Sequence, residues 1–126
     1  KSLFLEGMNE PNNLPNWLSN EDLEFFTKEF KKSGMFGPLN RYRCMDLDWK
    51  DLFNLSFNKI KKPSCFITGS LDPVNFFIPG VNLFDSIDKN YDDLRVKEQL
   101  NDIGHWTQQE APEQVNKILL DFLEKI

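Results

Sequence analysis

His105, in the stretch "IGHWTQQEAPEQ", is the only histidine in the chain. A general base must titrate near neutrality, and imidazole is the side chain whose ordinary pKa lies there. The stretch "GSLDPV" presents a carboxylate, Asp72. Each residue follows an apolar run that reads as a strand. A carboxylate bonded to one ring nitrogen fixes the tautomer, stabilises the cation that forms on proton uptake, and leaves the other nitrogen as base. Each residue also has a plainer reading. Asp before Pro often does no more than start a turn, and a lone histidine is as readily a satisfied surface or core residue. Their shared placement after strands, acid first and histidine second, favours a working pair.

The elements around this pair follow from composition and period. Residues 1–18 read as a loop, broken by Pro11 and Pro15 and by four asparagines. Ser19-x-x-Asp22 reads as a capping box that opens a helix, with Leu23, Phe26 and Phe30 on one face and Ser33-Gly34 at its end. Gly37-Pro38 restarts a helix. Its stripe of Leu39, Tyr42, Met45, Trp49 and Phe53 predicts about four turns. On periodicity alone, Tyr42 is a packing residue of that stripe.

"SCFITGS" (64–70) is a short apolar run ended by glycine and reads as a buried strand. "LDPVNFFIPG" reads as a loop, 81–87 as a short helix, and "LRVKEQL" (94–100) as a second strand. "NDIGHWTQQEAP" reads as a loop, after which Pro112 opens the last helix. That helix has the stripe Val115, Ile118, Leu119, Phe122, Leu123 and Ile126. Strand and helix alternate in the second half, so the fold class is α/β with parallel strands. Two strands with one covering helix leave an apolar face open, which predicts the end of a larger fold rather than a complete one.

The 126 residues suit about one domain. Aromatic content of 13% argues for a folded core rather than disorder. The net charge of −5, without a basic stripe, argues against nucleic acid as partner. The short clusters around Lys28–Lys32 and Lys59–Lys62 lie beside acids and read as solvated faces. Cys44 and Cys65 lack metal-ligand spacing, so no metal or cofactor is expected. Reduced thiols in apolar surroundings fit a cytoplasmic protein. No apolar run approaches the roughly 20 residues of a membrane helix, and "KSLFLEGMNEP" lacks the apolar core of a signal peptide.

In an open α/β sheet, ligands sit at the carboxyl ends of the strands, where Asp72 and His105 both emerge if the strands are parallel. A nucleophile for them to serve is not visible. There is no G-x-S-x-G, and Ser2, Ser19, Ser33, Ser56, Ser64 and Ser70 have no strand–elbow–helix setting. Asp22, Asp46, Asp48 and Asp51 fall in expected helices.

"LSNEDLEFFTKEFKKSGMFGPLNRYR", "GSLDPV" and "GHWTQQEAPEQVNKILLDFL", three separated motifs in order, resemble the carboxyl-terminal part of the soluble epoxide hydrolases, of the α/β-hydrolase fold. The resemblance runs from about Leu18 to the end. It implies that 1–60 is the end of a helical cap domain and that 61–126 is the carboxyl-terminal part of the core. It also implies an enzyme that adds water to an epoxide to give a vicinal diol, through an ester on an aspartate.

By the same resemblance the tyrosine of Gly37-Pro38-Leu39-Asn40-Arg41-Tyr42-Arg43 serves the epoxide oxygen. Asp72 is the charge-relay acid, and His105 is the base that activates water. The residue types suit the steps. A phenol of pKa about 10 can donate to a developing alkoxide at neutral pH, and neutral imidazole can activate water. Arg41 stands where the family often has an aromatic residue. The nucleophilic Asp, the H-G-x-P oxyanion segment and a second cap tyrosine are not in this sequence. The implied partners are a small epoxide and the upstream half of the same fold, with a homodimer left open. Two other readings stand beside it: a haloacid dehalogenase of the fluoroacetate type on the same scaffold, and a non-catalytic fragment that pairs with another chain.

Overall fold

A computed structural model describes Glu6, residues 11–55 and residues 58–126. Ser2 and Ser56, and the parts of the expected loop at residues 1–5 and 7–10, lie outside the described residues. The chain divides into two compact units, Lys1–Arg43 and Cys44–Ile126.

In the first unit, helix α1 spans Asn20–Ser33. Ser19 caps it as its sequence predicts. The Asp22 N–H donates to Ser19 Oγ at 3.1 Å, and the Ser19 N–H donates to the Asp22 carboxylate at 3.2 Å. The Ser19 hydroxyl adds a third bond at 2.7 Å and, more than any other contact, holds the Asp22 carboxyl below its ordinary range. Gly34 ends the helix at φ 68°, a conformation that favours glycine, and its N–H donates to Phe30 O. Helix α2 spans Phe36–Arg43, with Pro38 in the first turn, where no N–H partner is required.

The second unit begins where the sequence predicts a continuation of that helix. Instead Cys44, at φ −90° and ψ 1°, leaves the helical well, and a separate helix α3 covers Met45–Leu52, followed by a 3-10 turn at Phe53–Leu55. A stripe at three- and four-residue steps survives the departure of a single residue, so the period does not register the break.

Strand β1 (Ser64–Gly69) and strand β2 (Leu94–Leu100) pair in parallel, with Cys65 opposite Val96 and Gly69 opposite Leu100. Their bounds match the expected strands to within a residue. Burial is concentrated at the carboxyl end, where Thr68 and Gly69 are buried and Ser64–Ile67 only half-buried. Between the strands the chain forms a 3-10 turn at Pro73–Phe76, helix α4 at Leu83–Ser86 and another 3-10 turn at Ile87–Asn90. Helix α5 (Thr107–Glu110) and helix α6 (Pro112–Leu123) follow β2.

Alternate residues of a strand face opposite sides, and the two sides of this sheet meet different helices. Phe66 lies 6.3 Å from the Phe84 ring of α4. The Lys97 ammonium sits 4.7 Å above that ring and 2.8 Å from Asp88. On the other side Leu100, Ala111 and Val115 form the core, with Ile67, Ile103 and Ile118 packed against it. The face that the sequence leaves open thus meets the short α4. The end of α6 is tied back to the sheet through Arg95, which donates to Lys125 O at 2.8 Å while its guanidinium also pairs with Asp93. No helix among the described residues is long and apolar enough to cross a membrane.

Candidate active site

Both strands deliver their following loops to the same end of the sheet, and three bonds lock the loops together. Ser70 N–H donates to Leu100 O, Leu71 N–H to Ile103 O, and Asp102 N–H to Ser70 Oγ, each at 2.9 Å. Asp102 takes up the turn at φ 59°, a region Asp tolerates better than most residues. The close approach depends on Gly69, because a Cβ there would overlap the carbonyls of Ile103 and Gly104. Asn75, 4% exposed, donates to Gly69 O at 3.0 Å and to Thr68 Oγ1 at 3.3 Å, which satisfies the end of β1 from beneath.

Within this frame His105 Nδ1 lies 3.0 Å from both Oδ1 and Oδ2 of Asp72. An ionised carboxylate only accepts, so the proton sits on Nδ1 and Nε2 carries the free lone pair. Asp72 is 8% exposed. Its Oδ1 also accepts the Val74 N–H at 2.9 Å, so the turn that Asp-Pro predicts and the contact with histidine are made by one carboxylate. The turn holds the acid still, and the acid orients the ring. His105 itself is half-exposed, with the Trp106 ring edge-on at 5.2 Å.

Sequence reasoning brings Asp72 and His105 to one place, and the structure places them in contact. Tyr42 lies on α2 in the first unit and is 70% exposed. Two residues that support this frame escape a sequence reading. Glu110 falls in an expected loop but lies on α5, and its carboxylate accepts the N–H groups of Gly104 and Trp106. Asn75 falls in a stretch without period, and nothing in its neighbours marks it as buried.

A parallel strand pair with helices on both sides, an acid after the first strand and a histidine after the second, defines the carboxyl-terminal part of an α/β-hydrolase fold, and solved structures bear this out. Epoxide hydrolase A from Mycobacterium thermoresistibile superposes with a TM-score of 0.85 at 35% identity, over 98% of this chain and 38% of that one. Epoxide hydrolase I of potato (Solanum tuberosum) gives 0.77 at 29% identity, over 88% and 35%.

Within that fold the chain resembles the epoxide hydrolases in particular. It is 38% identical to epoxide hydrolase B of Mycobacterium tuberculosis over 113 residues, 90% of this chain and 31% of that protein. It is 34% identical to the bifunctional epoxide hydrolase 2 of Sus scrofa, over 97% of this chain and 21% of that protein. The chain therefore spans two fifths or less of the length of these curated relatives. No protein-family model matches it.

Proposed function

We propose that the protein containing this chain is an epoxide hydrolase. The observation that carries the reading is the bond from His105 Nδ1 to the Asp72 carboxylate at the carboxyl ends of two parallel strands. The likeness to named epoxide hydrolases supplies the substrate class. Residues 1–60 then form the end of a helical cap and residues 61–126 the last part of the core. The upstream half of the fold brings the nucleophilic aspartate and the oxyanion donors. Free thiols at Cys44 and Cys65 fit a cytoplasmic setting.

In the first step the upstream carboxylate attacks an epoxide carbon. A new C–O ester bond forms, the ring C–O bond breaks, and the Tyr42 hydroxyl donates to the oxygen that takes up the electron pair. In the second step His105 Nε2 takes a proton from water. The hydroxide adds to the ester carbonyl and the acyl C–O bond breaks. The new carboxyl gives its proton to the leaving diol oxygen, which restores the carboxylate, and the imidazolium proton passes through water to replace the one that Tyr42 gave up. Asp72 holds the Nδ1 proton and stabilises the imidazolium formed in that step. Together they complete a triad of upstream Asp, His105 and Asp72.

The test is a single turnover of the full-length protein, in excess over styrene oxide, in water labelled with oxygen-18. Attack at the ester carbonyl puts the label into the protein carboxylate and leaves the first diol unlabelled. Label in that diol would mean direct addition of water and overturn the ester route. Absence of diol, with fluoride released from fluoroacetate instead, would establish the dehalogenase.

A further inference from the structure

We infer that Glu110 is the residue that positions His105, an inference that rests on the hydrolase reading above. His105 stands on a loop with its side chain 51% exposed, and the contact with Asp72 orients its ring but does not anchor its backbone. The anchor comes from Glu110, whose Oε2 accepts the Gly104 N–H at 2.7 Å and whose Oε1 accepts the Trp106 N–H at 3.0 Å. One carboxylate thus grips the N–H groups of the two residues on either side of His105. Bonds of this charge-assisted kind are shorter and about twice as strong as neutral ones.

Two further features fit the grip. The Glu110 N–H donates back to Trp106 O at 2.9 Å, so residues 106 and 110 are joined by main chain and side chain in opposite directions. Gly104 leaves room for the carboxylate: a Cβ there would stand 2.9 Å from Oε1 and 3.2 Å from Oε2. The same absence of a side chain lets the loop relax once the carboxylate is gone, because glycine has the most conformational freedom to recover.

Glu110 touches the loop and not the reacting atoms, so its loss acts only through the placement of His105. In the proposed cycle His105 serves ester hydrolysis and not epoxide opening. Misplacement by about 1 Å can cost about 100-fold in rate. In full-length protein Glu110→Ala should slow ester hydrolysis about 100-fold and leave ester formation within about twofold, so that the alkyl-enzyme accumulates and is seen by intact mass. Glu110→Gln keeps the volume but offers one acceptor for two donors. It should fall between wild type and alanine, and it serves if alanine does not fold.

His105→Gln is the reference in the same experiment. If His105→Gln accumulates ester while the Glu110 variants hydrolyse it at the wild-type rate, Glu110 does not position the base. Equal loss of both steps in the Glu110 variants would also overturn the inference, because a merely structural role lowers the two together. If His105→Gln itself traps no ester, the epoxide hydrolase reading fails whatever Glu110 does.

Discussion

The Asp72 carboxylate presents both of its oxygens to His105 Nδ1, each at 3.0 Å, while Oδ1 also accepts the Val74 N–H at 2.9 Å. Asparagine at this position cannot reproduce that arrangement. With its oxygen on the Val74 N–H, its amide turns N–H bonds toward Nδ1. The imidazole proton is then driven to Nε2, the nitrogen that must accept. Asp72→Asn should lower ester hydrolysis by about 10³- to 10⁴-fold, the scale seen when a relay acid is replaced in this way. Rapid-quench measurement of the two steps checks it. A variant with near-normal hydrolysis would separate Asp72 from the chemistry.

Tyr42 is assigned to the other step. Tyr42→Phe removes the hydroxyl and keeps the ring on α2, so stability should change little at a site 70% exposed. Ester formation should fall about 10²-fold or more, the usual scale of a general acid, with ester hydrolysis unaltered. Stopped-flow measurement under single-turnover conditions separates these, and loss confined to hydrolysis would contradict the assignment.

Gly69 tests the frame rather than the chemistry. Any side chain there meets the Ile103 and Gly104 carbonyls, backbone atoms that cannot swing away. Gly69→Ala should cost about 3 kcal/mol, the upper part of the range for an overpacked site. It should displace the loop that carries His105, so thermal unfolding of the full-length protein would show a lowered Tm, and ester hydrolysis, the step that Asp72 and His105 share, would slow.

Cys65 gives a prediction in pH. Burial beside β2, with the Glu98 carboxylate nearby as the smaller cause, pushes its thiol above the ordinary range. Both causes disfavour the thiolate, which is the reactive form. Alkylation by iodoacetamide, followed at this residue by peptide mass analysis, should therefore rise with pH later than for a free thiol. A midpoint below that of a free thiol would contradict the packing around β1.

How much of this was legible in the sequence depends on the range of the force involved. The α1 cap, both strands and α6 rest on local signals, such as Ser19 with Asp22, the apolar run before Gly69 and Pro112 before an apolar stripe, and they stand where those signals place them. The break at Cys44 is a departure by one residue that leaves the stripe intact. Helix α5 has four residues, too few for a period to show, and it hides the reach of Glu110 to Gly104. The meeting of Asp72 with His105 could be argued because parallel strands send their loops to one edge. The need for glycine at 69 is set by a carbonyl thirty-four residues away and leaves no mark in its own neighbourhood.

The central claim is that His105 activates water against an ester on an aspartate outside this chain. Its most direct test is intact mass analysis of the full-length His105→Gln protein after exposure to an epoxide such as styrene oxide. The account predicts a gain equal to one epoxide mass, persisting for many wild-type turnover times, with one equivalent of epoxide consumed and no diol released. Unmodified protein with steady diol release at the wild-type rate would contradict it.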